Sequence, residues 1–329
     1  MSRPKIGVVI HTELRQQLFS PSDVERMNSL GEVVWTDSPK PITVAQACQL
    51  LAGCEVGVGS WGTPHPCKEI MDACPNLRFW EHVAGTVKHM FGPHLKGRDF
   101  TIASCKTAIA DGVAEVTLGE IILGLKRIVQ DIEAGRRGKG PKQPGMKPMA
   151  GSVIAVVGAS EVGKRVLKLL KAFPCKVLLY DPFVTPARAK KMGAELVGDL
   201  LDLCRRSDVV TLHSPALPQT AKMLNAAHFQ AMKDDCVFIN TARGMCIDEA
   251  ALIAELQKGR LTAFLDVSDP EPAVDDSPLR RLPNSFYTSH IAGPVAFNLG
   301  AQATSDVAAF LSGKKPMCVV TKRVLYKTA

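Results

Sequence analysis

Residues 152–181 read SVIAVVGASEVGKRVLKLLKAFPCKVLLYD and indicate the architecture of this chain more strongly than any other segment. SVIAVVG and KVLLYD are short apolar runs, typical of buried strands, and EVGKRVLKLL between them is typical of a helix. A strand, a tight turn, a helix and a second strand predict a βαβ unit, in which the two strands are parallel.

The turn between the first strand and the helix contains glycines at positions 158 and 163. Gly158 permits a tight turn, and Gly163 permits close packing of the helix against the strand. The N-terminus of the helix then offers N–H groups to a pyrophosphate. Asp181, at the end of the second strand and 18 residues after Gly163, places a carboxylate where it can accept hydrogen bonds from ribose hydroxyls. The combination predicts a dinucleotide-binding unit.

Two residues of this turn depart from the usual G-x-G-x-x-G pattern of dinucleotide-binding turns. Ser160 stands at the middle glycine, where the backbone approaches phosphate closely, although its hydroxyl can donate a hydrogen bond in exchange. Glu161 adds a negative charge beside the anion site, and Lys164 and Arg165 can offset it. We therefore expect the cofactor to bind, but less tightly than with the full pattern.

Asp181 also bears on the choice of cofactor. A carboxylate at this position repels a 2′-phosphate, so NAD is expected in preference to NADP. Arg188, Lys190 and Lys191 follow in the sequence. They either soften that preference or form a solvated helix face, and we favour the second interpretation.

Alternating strands and helices extend in both directions from this segment. From Ser152 onward the strand-like runs are SVIAVVG, KVLLYD, DVVTLH, CVFIN, LTAFLDV and FYTSH. In the first hundred residues they are KIGVVI, EVVW, EVGVGS, LRFWEHV and FTIASC. Single helices are predicted over 112–135 and 299–313, and a surface connection rich in Gly, Pro and Lys over 136–151. The predicted fold class is α/β, with two Rossmann-like or flavodoxin-like parallel-sheet domains.

Length and composition describe a globular protein. A chain of 329 residues with 46% hydrophobic and 22% charged residues is long enough for two domains with cores of ordinary size. No apolar run reaches the ~18 residues of a membrane span, and the N-terminus has no signal-peptide pattern, so we expect a cytoplasmic protein without membrane association. The ten cysteines form no C-x-x-C pair and lie near no histidine at ligand spacing, which predicts free thiols and no metal site.

The net charge of +8 is concentrated in two places. Between Lys126 and Lys147 there are seven Lys or Arg residues and two acids, and between Lys314 and Ala329 there are five and none. Such a balance is compatible with nucleic-acid binding, or with a solvated basic surface that attracts an anionic cofactor and substrate. Because aromatic residues are not interleaved and no nucleic-acid motif is present, we favour the second interpretation and expect no nucleic-acid partner.

Three predicted strands in the last third of the chain lead to polar residues suited to catalysis. CVFINTAR ends on Arg243, LTAFLDVSDPEP reaches Glu271, and SFYTSH ends on His290. The carboxyl ends of the strands form the ligand crevice of an open α/β sheet. A guanidinium, a carboxylate and an imidazole delivered there together suit carbonyl reduction on a carboxylate-bearing substrate.

The series DVVTLHSPALPQT, VFINTARGMCIDEAAL, LDVSDPEP and SHIAG, in this order, resembles the D-isomer-specific 2-hydroxyacid dehydrogenase family. The resemblance covers nearly the whole chain, including VAEVTLGEIILGLKRI and the closing AAFLSGKKP. It implies that Arg243 binds the substrate carboxylate and the reacting carbonyl oxygen, for which a guanidinium supplies paired donors. It implies that His290 is the general acid or base, and that Glu271 orients the imidazole and favours its charged form. The implied reaction is hydride transfer between NAD and a small 2-oxo acid, such as hydroxypyruvate or glyoxylate, giving the D-2-hydroxy acid.

Binding residues are implied in the same way. The implied cofactor-binding residues are Gly158, Ser160, Glu161, Val162, Gly163, Asp181, His213, Pro215, Thr241, Ala242, Asp266 and His290. WEHVAGTVKHM resembles the family's substrate loop, where backbone N–H groups near Gly85 and Thr86 hold the substrate carboxylate together with Arg243. Thr86, Val87 and Lys88 depart from the usual glycine-richer form, and Lys88 lies either in the substrate pocket or in solvent. The histidines without a matching catalytic motif are His11, His65, His82, His89, His94 and His228.

In this family the cofactor domain is inserted into a discontinuous substrate domain. The resemblance therefore implies a substrate-binding domain over 1–107 and 292–329, and an NAD-binding domain over 108–291. Family members are commonly homodimers, and the apolar helix over 113–129 is compatible with burial in a dimer interface. Two other functions stay open: oxidation of 3-phosphoglycerate, and a non-catalytic NAD-sensing role like that of corepressor relatives.

Overall fold

The structure is a computed structural model that describes residues 3–138, 145–293 and 298–321. These residues form two compact units. The first unit contains the described residues up to Ile109 and those from Asn298 onward, and the second runs from Ala110 to Gly293. Parts of the predicted connection over 136–151 and of the basic C-terminal segment lie outside the described residues.

Strands and helices alternate along the chain, as predicted. The strands are β1 (Lys5–Val8), β2 (Glu32–Trp35), β3 (Val56–Gly59), β4 (Phe79–His82), β5 (Thr101–Ser104), β6 (Val153–Val157), β7 (Lys176–Tyr180), β8 (Glu195–Leu196), β9 (Val209–Leu212), β10 (Cys236–Asn240), β11 (Leu261–Leu265), β12 (Ser285–Tyr287) and β13 (Val319–Val320). The helices are α1 (Thr12–Leu18), α2 (Pro21–Leu30), α3 (Val44–Leu50), α4 (Lys68–Ala73), α5 (Lys106–Leu125), α6 (Ile128–Arg136), α7 (Glu161–Leu170), α8 (Pro186–Met192), α9 (Leu200–Arg206), α10 (Ala226–Ala231), α11 (Glu249–Gln257) and α12 (Leu299–Leu311).

Each unit is built on one sheet. The first sheet has the order β2-β1-β3-β4-β5-β13, in which every pairing is parallel except that of β13 with β5. The second sheet has the order β8-β7-β6-β9-β10-β11-β12 and is parallel throughout. These are the flavodoxin-like and Rossmann-like strand orders, so the predicted fold class is confirmed. The sequence pattern did not indicate the antiparallel edge strand β13.

Helices cover both faces of each sheet, because the connections between parallel strands cross over those faces. Neighbouring side chains of a strand point to opposite faces and therefore enter different cores. On β4, Phe79 packs into one core cluster and stacks on Phe310 of α12 at a centroid distance of 4.6 Å, while Trp80 packs into the cluster on the other face. On β10, Phe238 and Ile239 enter opposite clusters in the same way. Both sheets are therefore buried on two sides, which leaves the strand ends as the place for polar chemistry.

The single helix predicted over 112–135 is wrong in its bounds and its continuity. Helix α5 begins earlier, at Lys106, and ends at Leu125, and α6 begins at Ile128. Between them Arg127 adopts a left-handed backbone conformation with φ of 51°, and its guanidinium lies 3.0 Å from the Asp235 carboxylate. The apolar pattern continues through this break, so periodicity alone could not reveal it.

No helix of the described segments is long and apolar enough to cross a membrane. All ten cysteines are free, and seven of them are buried. Burial of this kind is typical of cysteines that pack as small apolar side chains.

Candidate active site

The turn that joins β6 to α7 can be built only with glycine at two positions. Gly158 has φ of 98°, and a Cβ added there would lie 2.9 Å from the Ser214 hydroxyl. A Cβ added at Gly163 would lie 2.0 Å from the carbonyl oxygen of Gly158. The backbone at the start of α7 therefore packs directly against the backbone at the end of β6. This glycine cradle, formed by Gly158 and Gly163, offers a pyrophosphate the N–H groups of the helix N-terminus.

Ser160 is the N-cap residue of α7. Its hydroxyl oxygen accepts a hydrogen bond from the Gly163 N–H at 3.3 Å, and a side chain of this kind satisfies one of the free donors of the first helical turn. The hydroxyl proton is still available to donate to an anion. Val162, the second residue of α7, is also an implied cofactor-binding residue and is partly buried against the core.

The charge of Glu161 is neutralised within the same helix. Its carboxylate accepts hydrogen bonds from Lys164 at 3.1 Å and from Arg165 at 3.0 Å. Burial acts to raise the pKa of Glu161, but these two cations outweigh it and hold the pKa below its usual value. Arg165 also pairs with Asp111 on α5. The expected offset of Glu161 by Lys164 and Arg165 is therefore present as direct contacts.

Asp181 follows β7 directly, at the position where ribose hydroxyls are expected. One carboxylate oxygen accepts from the Ala159 N–H and the other from the Phe183 N–H, both at 2.8 Å. These bonds fix the carboxylate next to the glycine turn while each oxygen keeps a further lone pair. Arg188, Lys190 and Lys191 are exposed on α8, consistent with a solvated helix face.

His213 lies just after β9, the strand that pairs with β6. Its side chain is 3% exposed, and Nε2 lies 2.9 Å from the Thr211 hydroxyl. Burial lowers the pKa of His213 to about 3, so the ring is neutral at physiological pH. Within the part of the chain that the structure describes, Nδ1 is buried without a hydrogen-bond partner. The implied residue Pro215 lies in the same loop.

Arg243 is held by the loop that follows β10. The Asn240 side chain donates to the Arg243 carbonyl oxygen at 3.1 Å and accepts from the Ala242 N–H at 3.0 Å. The Arg243 guanidinium donates to the Ala242 carbonyl oxygen at 2.6 Å. A Cβ added at the next residue, Gly244, would lie 2.1 Å from the backbone of Ser268 in the adjacent loop. The implied residue Thr241 is buried beneath, 3.2 Å from the Thr117 hydroxyl of α5.

Glu271 and His290 form a direct pair. A Glu271 carboxylate oxygen is hydrogen-bonded to Nδ1 of the His290 ring, and the two side chains are 35% and 43% exposed. A carboxylate at Nδ1 fixes the ring orientation and leaves Nε2 to exchange a proton with a bound substrate. His290 lies three residues beyond the end of β12 and has φ of 58°, a left-handed conformation that is uncommon outside glycine.

Asp266 holds the segment that carries His290. Its carboxylate accepts from the Thr288 hydroxyl at 2.7 Å and from the N–H groups of Ile291 and Ala292 at 2.8 and 3.0 Å. Its backbone oxygen accepts from the His290 N–H at 2.8 Å. The resemblance implied a cofactor contact for Asp266, and in this structure its carboxylate fixes the backbone around His290.

Glu120 is a residue of this region that the sequence did not single out. It lies on α5 and is 9% exposed, and its Oε2 is buried with no partner among the described residues. Burial, and then the negative charge of Asp266, raise the pKa of Glu120 to about 8. Its position in an apolar helix concealed it, because only the folded chain brings it near Asp266.

The loop after β4 contains the implied substrate residues of the first unit. Gly85 is partly buried and Thr86 is exposed, and their backbone N–H groups donate to no acceptor in the described segments. Lys88, which follows, is partly buried. Free, adjacent N–H groups in an exposed loop suit the binding of a carboxylate.

The same loop brings together histidines that the sequence left without a role. The His89 ring lies 4.9 Å from that of His65 and 6.1 Å from that of His82, between centroids. The sequence contained one signal for this cluster. His65 follows β3, His82 ends β4 and His89 follows it, and the ends of these two paired strands lie at one edge of the sheet. Among the residues that the structure describes, no group of His, Cys, Asp or Glu side chains is arranged to hold a metal ion.

Comparisons with known proteins identify the family of this chain. The family model described as D-isomer specific 2-hydroxyacid dehydrogenase, NAD binding domain, matches residues 118–292. A D-3-phosphoglycerate dehydrogenase of Methanocaldococcus jannaschii is 34% identical over 192 residues, which cover 57% of this chain and 36% of that protein. A glyoxylate reductase of Thermofilum pendens is 30% identical over 275 residues, which cover 78% of each.

Solved structures share the fold. A D-isomer specific 2-hydroxyacid dehydrogenase from Lactobacillus delbrueckii ssp. bulgaricus, in its NAD complexed form, matches with a TM-score of 0.80 and 19% identity, over 96% of this chain and all of that one. The chain spans 36% and 47% of the length of two D-3-phosphoglycerate dehydrogenases that it matches.

Proposed function

Because the chain belongs to the D-isomer-specific 2-hydroxyacid dehydrogenase family and has its NAD-binding domain, we propose that it reduces a small 2-oxo acid to the D-2-hydroxy acid, or catalyses the reverse. The observation that carries this proposal is the hydrogen-bonded pair of Glu271 and His290 at the carboxyl edge of the second sheet. Hydroxypyruvate and glyoxylate are the substrates that we propose to test first.

The roles of the side chains follow from their chemistry. Arg243 supplies paired donors to the substrate carboxylate and the carbonyl oxygen. His290 gives its Nε2 proton to that oxygen in the reducing direction and takes it back in the other. Glu271 stabilises the charged imidazole through Nδ1. The cradle of Gly158 and Gly163 fits the pyrophosphate of the cofactor. When bound, NADH supplies the hydride for reduction and NAD accepts it in the reverse reaction.

We propose that the two units bind different molecules. The unit from Ala110 to Gly293 would bind NAD, and the discontinuous unit would bind the substrate through Gly85 and Thr86. The contacts of Asp181 near the glycine turn support NAD over NADP in this unit. The ten free thiols support a reducing compartment, and hence the cytoplasm.

The test is NADH oxidation with a panel of 2-oxo acids, using His290→Ala as the inactive variant and His228→Gln as the matched histidine control. General acid catalysis is worth about 10²–10⁴-fold, so we expect His290→Ala to lower kcat by about 10³-fold while NADH still binds. Equal turnover in wild type and His290→Ala would contradict the proposed role. Binding of NADH without turnover of any acid would favour the NAD-sensing alternative.

Oxidation of 3-phosphoglycerate is a second candidate, and the similarity to D-3-phosphoglycerate dehydrogenases favours it. NAD reduction in the presence of 3-phosphoglycerate distinguishes it from the reduction of unphosphorylated acids. A kcat/KM for this substrate above that for D-glycerate would support it.

We also propose a homodimer. Three large apolar side chains on α5 and α6 are exposed in the single chain: Val116 at 38%, Ile128 at 37% and Ile132 at 49%. A dimer interface would remove them from water. Light scattering on the purified protein tests this: wild type should have twice the mass of the chain, and Ile132→Glu should be monomeric. A monomeric wild type would contradict the proposal.

A further inference from the structure

Three histidines of the first unit form a cluster at one edge of its sheet. His82 is the last residue of β4, His65 lies in the loop after β3, and His89 lies in the turn after the Gly85–Thr86 loop. The His89 ring makes edge-on contacts with both others, at centroid distances of 4.9 Å to His65 and 6.1 Å to His82. The cluster therefore adjoins the loop proposed to bind the substrate carboxylate.

The cluster runs from the interior to the surface. His82 is only 4% exposed, and its Nδ1 is buried with no hydrogen-bond partner among the described residues. His65 is partly buried and His89 is exposed. A buried polar nitrogen without a partner is costly, and a ligand that bonds to the His82 ring would offset part of that cost.

Among the residues that the structure describes, no carboxylate acts on the pKa of these three rings. Burial lowers the pKa of all three imidazoles, and their mutual repulsion lowers those of His65 and His82 further. The charge of His94 lowers the pKa of His65 further, and the His94 Nε2 lies 2.8 Å from the Pro66 carbonyl oxygen.

The acid nearest in sequence is turned away from the cluster. Glu81 precedes His82 on β4 and therefore faces the opposite side of the sheet, where it contacts Cys105 at 3.3 Å. A set of imidazole donors on which no carboxylate of the described residues acts favours an anion as the ligand. A metal is not favoured, since none of the described side chains is arranged to hold one.

We propose that His65, His82 and His89 bind a second anionic group of the substrate, a carboxylate or a phosphate. This inference rests on the proposed function, because it adds a subsite beside the loop of Gly85 and Thr86. The substrate class is then a 2-oxo acid with a second anionic group a few bonds from the first, rather than glyoxylate itself. Binding of the anion draws protons onto the rings, so the preference for dianionic substrates falls as pH rises.

The first experiment measures kcat/KM for NADH oxidation with glyoxylate, with oxaloacetate, which carries a second carboxylate, and with 3-phosphohydroxypyruvate, which carries a phosphate. Wild type should prefer at least one dianion, and the preferred one identifies the anion. The exposed-site variant His89→Gln should reduce the ratio of dianion to glyoxylate by about 10-fold, the effect of one lost charge-assisted hydrogen bond. His82→Gln should do the same, and His228→Gln should leave the ratio as in wild type.

A second readout does not depend on turnover. The imidazole Cε1–H signals in proton NMR are followed while inorganic phosphate or malonate is added. We expect the His82 and His89 signals to shift saturably and their apparent pKa values to rise, with the His228 signal unchanged.

Saturable shifts without turnover of any 2-oxo acid would overturn the proposed function and leave the anion site standing. The anion site is overturned if the signals do not respond. It is also overturned if dianions and glyoxylate are turned over equally, or if folded His89→Gln keeps the full preference.

Discussion

The carboxyl edges of the two sheets differ in how their polar groups are satisfied. In the second unit, Asp266 accepts three hydrogen bonds and Asp181 accepts two, all from neighbouring loops. In the first unit, Glu81 and His82 are buried side by side on β4, and each has an atom with no partner among the described residues. The Asp181 and Asp266 loops of the second unit are therefore organised before any ligand binds. The end of β4 in the first unit retains unmet hydrogen-bonding capacity, as do Glu120 and His213 of the second unit.

This difference separates two tasks. A site that orients a proton donor benefits from rigid, saturated contacts, because misplaced groups lose most of their catalytic effect. A site that selects a substrate gains discrimination when its polar groups are satisfied only by the correct ligand. We infer that the loop held by Asp266 fixes the proton donor His290, and that His82 at the end of β4 takes part in substrate selection. The following variants test that division.

The largest effect is expected from Gly163→Ala. The new Cβ would lie 2.0 Å from the Gly158 carbonyl oxygen, so the helix must move away from β6. We expect a loss of about 3 kcal/mol in the free energy of unfolding and a loss of NADH binding of about 100-fold or more. Denaturant unfolding and calorimetry measure the two. Gly135→Ala on α6, where a Cβ meets nothing within 4 Å, is the control and should not destabilise. Unchanged NADH affinity in Gly163→Ala would contradict the proposal that the turn between β6 and α7 binds the pyrophosphate.

The next effect is a stabilisation by Glu81→Gln in the first unit. Burial, and then the charge of Asp306, raise the pKa of Glu81 well above its usual value. The unfolded chain loses this proton near pH 4.5 while the folded chain keeps it, so wild-type stability falls as pH rises above that value.

We expect Glu81→Gln to unfold with a higher free energy than wild type at pH 7, and with a weaker pH dependence. Denaturant unfolding at several pH values measures this, with exposed Glu25→Gln as the control. A destabilised Glu81→Gln protein, or one with the wild-type pH dependence, would show that the carboxyl is not held neutral.

These two variants also mark what the sequence could and could not reveal. Gly158, Gly163 and Asp181 form a pattern within thirty residues, and such local turn chemistry has a direct sequence signature. The same holds for Arg243, since the strand before it is a clear apolar run. The fold class follows from the alternation of strands and helices along the chain.

The rest depends on contacts between distant segments. His65 meets His89 only because β3 and β4 are neighbours, and Glu120 meets Asp266 only when α5 packs on the second sheet. The break at Arg127 is also tertiary, since it coincides with an ion pair to Asp235. Apolar periodicity carries no information on such pairings, so the sequence could not reveal them in either unit.

A smaller effect is expected from Glu120→Gln in the second unit. The folded pKa of about 8 lies above the usual 4.5, so the neutral carboxyl is favoured by folding and wild-type stability falls as pH rises between these values. Between pH 7 and pH 8 this amounts to about 1 kcal/mol, which Glu120→Gln should abolish. Thermal unfolding across this range measures it, with exposed Glu115→Gln of the same helix as the control. Identical pH slopes in wild type and Glu120→Gln would exclude the buried neutral acid.

The smallest effect concerns the turn itself. Ser160→Gly combined with Glu161→Arg frees the Gly163 N–H and replaces a neutralised acid by a cation. Because Lys164 and Arg165 already pair with Glu161, we expect NADH to bind only about threefold more tightly, as measured by calorimetry. Asp199→Gly, which removes the N-cap of α9, should leave the affinity unchanged. Weaker binding in the double variant would mean that Ser160 itself contributes to the anion site.

The central claim is that Glu271 acts through His290, and a double-mutant cycle tests it most directly. Single-turnover rates of NADH oxidation are compared for wild type, Glu271→Gln, His290→Ala and the double variant, with a 2-oxo acid that wild type reduces. We expect Glu271→Gln alone to slow the reaction by about 10²-fold, and to have no further effect once His290 is replaced, since residues that act as a unit are not additive. If the rate of the double variant is lowered by the product of the two single fold-losses, Glu271 and His290 act independently, which would contradict the claim.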